Sequence, residues 1–106
     1  SRVSRVYLYL KVWVLSDNKR WYKVGITNNL SRRDSEQNVL PVPAETIKTI
    51  SFPNQEIAAS VEKVFHDTLS HLRIKRASNK ELFALEPKQV SAIIDAMKNL
   101  ERVPCA

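Results

Sequence analysis

Between Val3 and Leu15 almost every position is β-branched, aromatic or leucine, an enrichment that favours a strand over a helix. The even positions Val6, Leu8, Leu10, Val12 and Val14 are aliphatic, whereas the odd positions Tyr7, Tyr9, Lys11 and Trp13 are amphipathic. A strand sends alternate side chains to opposite faces, so the even face is predicted to be core and the odd face a polar surface. Ser16-Asp17-Asn18-Lys19-Arg20 is a turn sequence. Trp21 to Thr27 then reads as a second strand, with Tyr22, Val24 and Ile26 on one face and Trp21, Lys23 and Gly25 on the other. Together the two segments predict an antiparallel hairpin.

Thr27-Asn28-Asn29 offers capping side chains, and Leu30 to Val39 reads as a short basic helix ended by Pro41 and Pro43. Thr46 to Phe52 is β-branched and is expected to be a third strand. After Pro53-Asn54 a long helix is predicted to about Leu72, because Ile57, Ala58, Val61, Phe65, Thr68, Leu69 and Leu72 recur at helical spacing. Arg73 to Lys80 reads as a basic loop and Leu82 to Leu85 as a short apolar segment. A last helix starts at Pro87 and carries Val90, Ile93, Ile94, Met97 and Leu100. The predicted fold is α/β, a small three-stranded antiparallel sheet flanked by helices, in a single domain over residues 1–106.

Composition narrows the class. With 43% hydrophobic and 26% charged residues and a single glycine among 106, the chain is neither disordered nor fibrous. Cys105 is the only cysteine, which excludes an internal disulfide and a cysteine zinc site and fits a reducing, cytoplasmic setting. Arg2 and Arg5 before an apolar stretch imitate a secretory leader, but Lys11 interrupts it and no cleavage pattern follows. No apolar run approaches the ~20 residues that span a bilayer, so no membrane insertion is expected.

The net charge of +6 is unevenly placed. Residues 1–33 hold eight basic side chains against Asp17 alone, a net +7, and the rest of the chain is close to neutral. Such an asymmetry suits a polyanion, because Lys and Arg that neutralise phosphates release condensed counterions; an anionic membrane surface would use the same charge. Lys11, Lys19, Arg20, Arg32 and Arg76 are the candidate DNA contacts, with double-stranded DNA the expected partner. A homodimer or a larger protein partner is also compatible.

Three features point to a site. Gly25 lies inside a strand, where glycine weakens the ladder unless a backbone or a ligand approaches closely, and a phosphate backbone is the expected visitor. Tyr9, Lys11, Lys23 and Gly25 fall on one face of the hairpin. Glu62 lies on the apolar side of its helix, within about 20° to 60° of Ala58, Phe65 and Leu69, where a carboxylate needs a partner. That partner is either a divalent cation or a basic side chain. His66 follows Glu62 by one turn and is a candidate accessory group.

The ordered set of residues resembles the GIY-YIG nuclease superfamily. The resemblance rests on Tyr9 in a first strand, Lys23-Val24-Gly25 in a second, Asn29-Leu30-Ser31-Arg32-Arg33, and then Glu62 on a long helix. Tyr7-Leu8-Tyr9-Leu10, Tyr22 to Thr27, Glu62 with His66, and Glu81-Leu82-Phe83 are similar to a phage and bacterial branch with a Lys-Ile-Gly type second motif. The resemblance implies Tyr9, Lys23, Arg33 and Glu62 as catalytic residues, Glu62 as the ligand of one Mg²⁺ or Mn²⁺, and Arg33 as the group on the phosphoryl oxygens. Tyr7, His66 and Asn79 are further candidates. Lys23 stands where relatives have tyrosine, and Gln37 where they often have His or Tyr. The implied activity is metal-dependent hydrolysis of DNA by a protein that is phage-encoded in a bacterial host. The alternatives are a domain that binds DNA without cutting and an interaction module, for which Tyr7, Trp13 and Trp21 are the expected exposed aromatics.

Overall fold

The computed structural model describes residues 5–29, 44–74 and 82–102. Strands β1 (Val6–Val14) and β2 (Arg20–Thr27) form the hairpin expected from period-2 alternation, with Tyr9 opposite Gly25 and Lys11 opposite Lys23. The turn closes through Leu15 N–H to the Lys19 carbonyl at 2.8 Å and Asn18 N–H to the Leu15 carbonyl at 3.0 Å. Asn18 sits at φ 66°, a left-handed backbone that asparagine tolerates better than most residues. Strand β3 (Ala44–Phe52) pairs with the other edge of β1; the register shifts between Leu10 and Lys11, and Ile47 is the extra residue of a bulge.

The sheet has four strands, in the order β3-β1-β2-β4, rather than the three expected. The additional strand, β4 (Phe83–Ala84), pairs with Tyr22 and Trp21 of β2 and is the apolar segment that the sequence left unassigned. Two residues are too few to show a period.

Helix α1 (Gln55–Thr68) starts where Asn54 places its side-chain oxygen 2.9 Å from the Ile57 N–H, satisfying one orphan donor of the first turn. It ends four residues earlier than expected, and Ser70–Leu72 forms one 3₁₀ turn. Helix α2 (Pro87–Arg102) has proline in its first position, and the Gln89 side chain reaches back to accept from the Glu86 N–H at 2.8 Å. Both helices pack on the aliphatic face of the sheet, where Leu8, Leu10, Val24, Ile50 and Phe52 meet Ala58, Leu69, Ile93 and Met97. Lys48 of β3 and Glu101 of α2 form an ion pair at 2.6 Å that ties the last helix to its strand. The expected helix over Leu30 to Val39 lies outside the described residues.

The odd face of the hairpin is not the open polar surface that alternation suggested. Tyr9 and Trp13 are 0% exposed, Lys11 is 3% exposed and Lys23 is 8% exposed. Amphipathic side chains bury their apolar bodies readily, so a pattern of Tyr, Lys and Trp does not distinguish a wet face from a covered one. Trp13 is therefore not an exposed docking aromatic, and Tyr7 and Trp21 are half-buried.

Candidate functional site

Tyr9 and Gly25 are direct cross-strand partners, and the phenol ring of Tyr9 lies across the glycine. A Cβ at position 25 would come within 2.6 Å of the Tyr9 Cζ, and closer still to its hydroxyl. The glycine inside the strand thus has a structural reason: the space above it is held by a tyrosine, where the sequence alone suggested a visiting phosphate backbone. Lys11 places its ammonium 5.3 Å from the centre of the Tyr9 ring, within cation–π range, and faces Lys23 across the hairpin. One face of the hairpin therefore carries Tyr9, Lys11, Lys23 and the chain's only glycine.

Lys11 was expected to grip DNA from the surface, but its burial makes it part of this cluster instead. Lys19 and Arg20 are exposed at the hairpin turn as expected, and Lys19 has Asp17 at 3.6 Å. The end of β2 is closed by Thr27, whose hydroxyl accepts from the Asn29 N–H at 3.1 Å.

Glu62 and His66 belong to α1, whose core residues pack on the opposite, aliphatic face of the sheet. The structure therefore does not set Glu62 on the Tyr9–Lys23 face, and the two groups are joined through β2. Glu62 is half-buried and has no hydrogen bond or ion pair among the described residues. The basic side chain that was the alternative to a cation is not found there. No cluster of three or more His, Cys, Asp or Glu side chains lies among the described residues. Among the described residues Glu62 alone would be the protein ligand, which suits a hard cation that takes one carboxylate and keeps waters and phosphate oxygens.

His66 was a candidate accessory to that carboxylate. Its Nε2 is 2.7 Å from the Val24 carbonyl, and its ring lies 5.7 Å from that of Phe83. Nothing in the sequence pattern marks a side chain bonded to a backbone carbonyl. Arg32, Arg33, Arg76 and Asn79 lie outside the described residues.

An apolar groove of about 830 Å³ separates α1 from α2, lined by Val61, Val64, Phe65, Ala92, Ala96 and Leu100. None of the expected site residues lines it. No helix among the described residues is long and apolar enough to cross a membrane.

The described residues thus form a mixed α/β fold with a four-stranded antiparallel sheet, a tyrosine crossing a strand glycine, and a helix glutamate with no partner among them. The chain belongs to the T5orf172 domain family, which matches residues 5–98 and is a phage-associated, nuclease-related group. No curated protein and no solved structure matches the chain.

Proposed function

We propose that the chain is a GIY-YIG-type domain that hydrolyses phosphodiester bonds of double-stranded DNA with the help of Mg²⁺ or Mn²⁺. The observation that carries this reading is the Tyr9–Gly25 pair with Lys11 and Lys23 on the same face, in a member of a nuclease-related family. A phosphate needs positive donors fixed before it arrives; Lys23, held by burial, loses less freedom on binding it than a surface lysine does, and Lys11 packs against the Tyr9 ring beside it.

In this reading Glu62 holds the cation, which supplies positive charge to a phosphoryl oxygen when bound. Lys23 and the Tyr9 hydroxyl orient the scissile phosphate and the attacking water. The water oxygen bonds to phosphorus while the bond from phosphorus to the leaving sugar oxygen breaks. The water releases a proton to solvent, and the sugar oxygen takes one up. Arg33 braces the phosphoryl oxygens as charge builds on them. Lys19 and Arg20, at the hairpin turn, contact flanking phosphates without reading sequence.

The second reading is a domain that grips DNA without cutting it. It is favoured by the complete burial of Tyr9 and by the placement of α1 on the other face from Lys23. Incubation of supercoiled plasmid with Mg²⁺, Mn²⁺ or chelator separates the two readings. Nicking that needs the metal supports the first, and salt-sensitive binding with an intact plasmid supports the second.

A further inference from the structure

Val24 sits between Lys23 and Gly25, and the direction of its carbonyl follows from the hairpin. The bond from Leu15 N–H to the Lys19 carbonyl makes Leu15 and Lys19 a hydrogen-bonded pair. Pairs alternate from there, so Lys23 and Gly25 bond to β1 while Tyr22 and Val24 turn their backbone groups to the outer edge of β2. At Tyr22 that edge is covered by β4, whose ladder pairs only Trp21 and Tyr22. At Val24 the imidazole of His66 meets the carbonyl instead, at 2.7 Å. A carbonyl only accepts, so Nε2 carries the proton and donates. The His66 ring is steadied against Phe83 of β4.

The same geometry locates Glu62. Chain direction brings α1 in after Phe52, whose partner Val6 lies at the carboxyl end of β2, where Tyr7 faces Thr27. The helix then runs back along β2 to reach Val24 with His66. Glu62, four residues before His66 and about 6 Å along the axis, lies on the same flank of α1, towards the Gly25–Thr27 end of β2.

We propose that His66 is a positioning residue: its hydrogen bond to the Val24 carbonyl clamps α1 to β2 and holds the Glu62 turn in register with the Lys23–Gly25 segment. The two halves of the site lie on different layers of the fold, and this bond is a direct link between the helix of Glu62 and the strand of Lys23. The inference rests on the nuclease reading for its catalytic consequence and on the hydrogen bond alone for the clamp.

The test compares wild type with His66→Phe, which keeps a ring against Phe83 but loses the donor, and His66→Gln, which keeps an N–H of similar reach. Gly25 is the only glycine, and its amide follows the Val24 carbonyl, so its ¹⁵N–¹H resonance reports the bond directly. His66→Phe is expected to shift the Gly25 and Glu62 amide signals and to lower the Mg²⁺-dependent nicking rate by about 10²-fold, the cost of a displacement near 1 Å, at unchanged DNA affinity. His66→Gln is expected to recover both signals and most of the rate. A Gly25 signal indifferent to His66→Phe overturns the clamp. Shifted signals with an unchanged rate overturn the positioning role. A wild type inert in both metals overturns the nuclease reading and the catalytic role with it, while the amide signals still decide the clamp.

Discussion

The phenol of Tyr9 occupies the volume that a side chain at position 25 would need, so Tyr9 and Gly25 are complementary halves of one cross-strand pair. Gly25→Ala must therefore push aside a tyrosine that is 0% exposed. The expected destabilisation is about 1–3 kcal/mol, the usual cost of overpacking a filled site. Urea unfolding of Gly25→Ala, Tyr9→Val and the double variant measures it. In the Tyr9→Val background the alanine should cost at least 0.5 kcal/mol less, on the order of the coupling seen for contacting residues.

The positively charged side chains should divide into two kinds. If about four phosphates are contacted, log K for DNA falls against log[salt] with a slope near −3.6. Lys19→Ala and Arg20→Ala, at exposed positions, should each make that slope less steep by about 0.9. Lys11→Ala should leave the slope in place and lower the Tm, because the buried stem of Lys11 packs on the Tyr9 face. Salt titrations of fluorescence anisotropy and thermal melts read the two effects separately.

The hairpin, the long helix and the last helix were legible because each is long enough to display its period: two along Val6–Val14, and 3.6 along Gln55–Thr68 and Pro87–Arg102. Alternation also put Tyr9 and Gly25 on one face of the hairpin; their direct pairing is a register that the structure supplies. Strand β4 was not legible, since Phe83 and Ala84 owe their conformation to Tyr22 and Trp21 across the sheet and not to local pattern. Burial of Lys11 and Trp13 was hidden for a different reason: long amphipathic side chains serve a covered face and a wet one equally. Of the candidate site, residue types alone suggested Tyr9, Lys23 and Glu62, whose roles are proposals. The placement of Glu62 on the other layer and the bond from His66 to Val24 are tertiary facts with no sequence signature.

Arg33 and Lys23 should separate transition-state stabilisation from binding. Arg33→Ala is expected to lower the single-turnover nicking rate by about 10²–10³, the loss of one preorganised charged donor, with DNA affinity unchanged. Lys23→Ala should weaken affinity and rate together if Lys23, 8% exposed beside Gly25, has the proposed role of holding the phosphate in both ground and transition states. Lys23→Tyr should retain part of the cleavage.

Metal-dependent cleavage through Glu62 is read by single-turnover nicking of a supercoiled plasmid by wild type and Glu62→Gln. The assay is run in Mg²⁺, in Mn²⁺ and in chelator, at protein concentrations that saturate the DNA. Glu62→Gln keeps the shape and removes the charge of a half-buried carboxylate that has no partner among the described residues, so its stability should stay within about 0.5 kcal/mol of wild type. Wild type is expected to nick in either metal and not in chelator, and Glu62→Gln to lose nicking at equal DNA binding. Equal nicking by Glu62→Gln, or an intact plasmid with wild type in both metals, would contradict cleavage through Glu62.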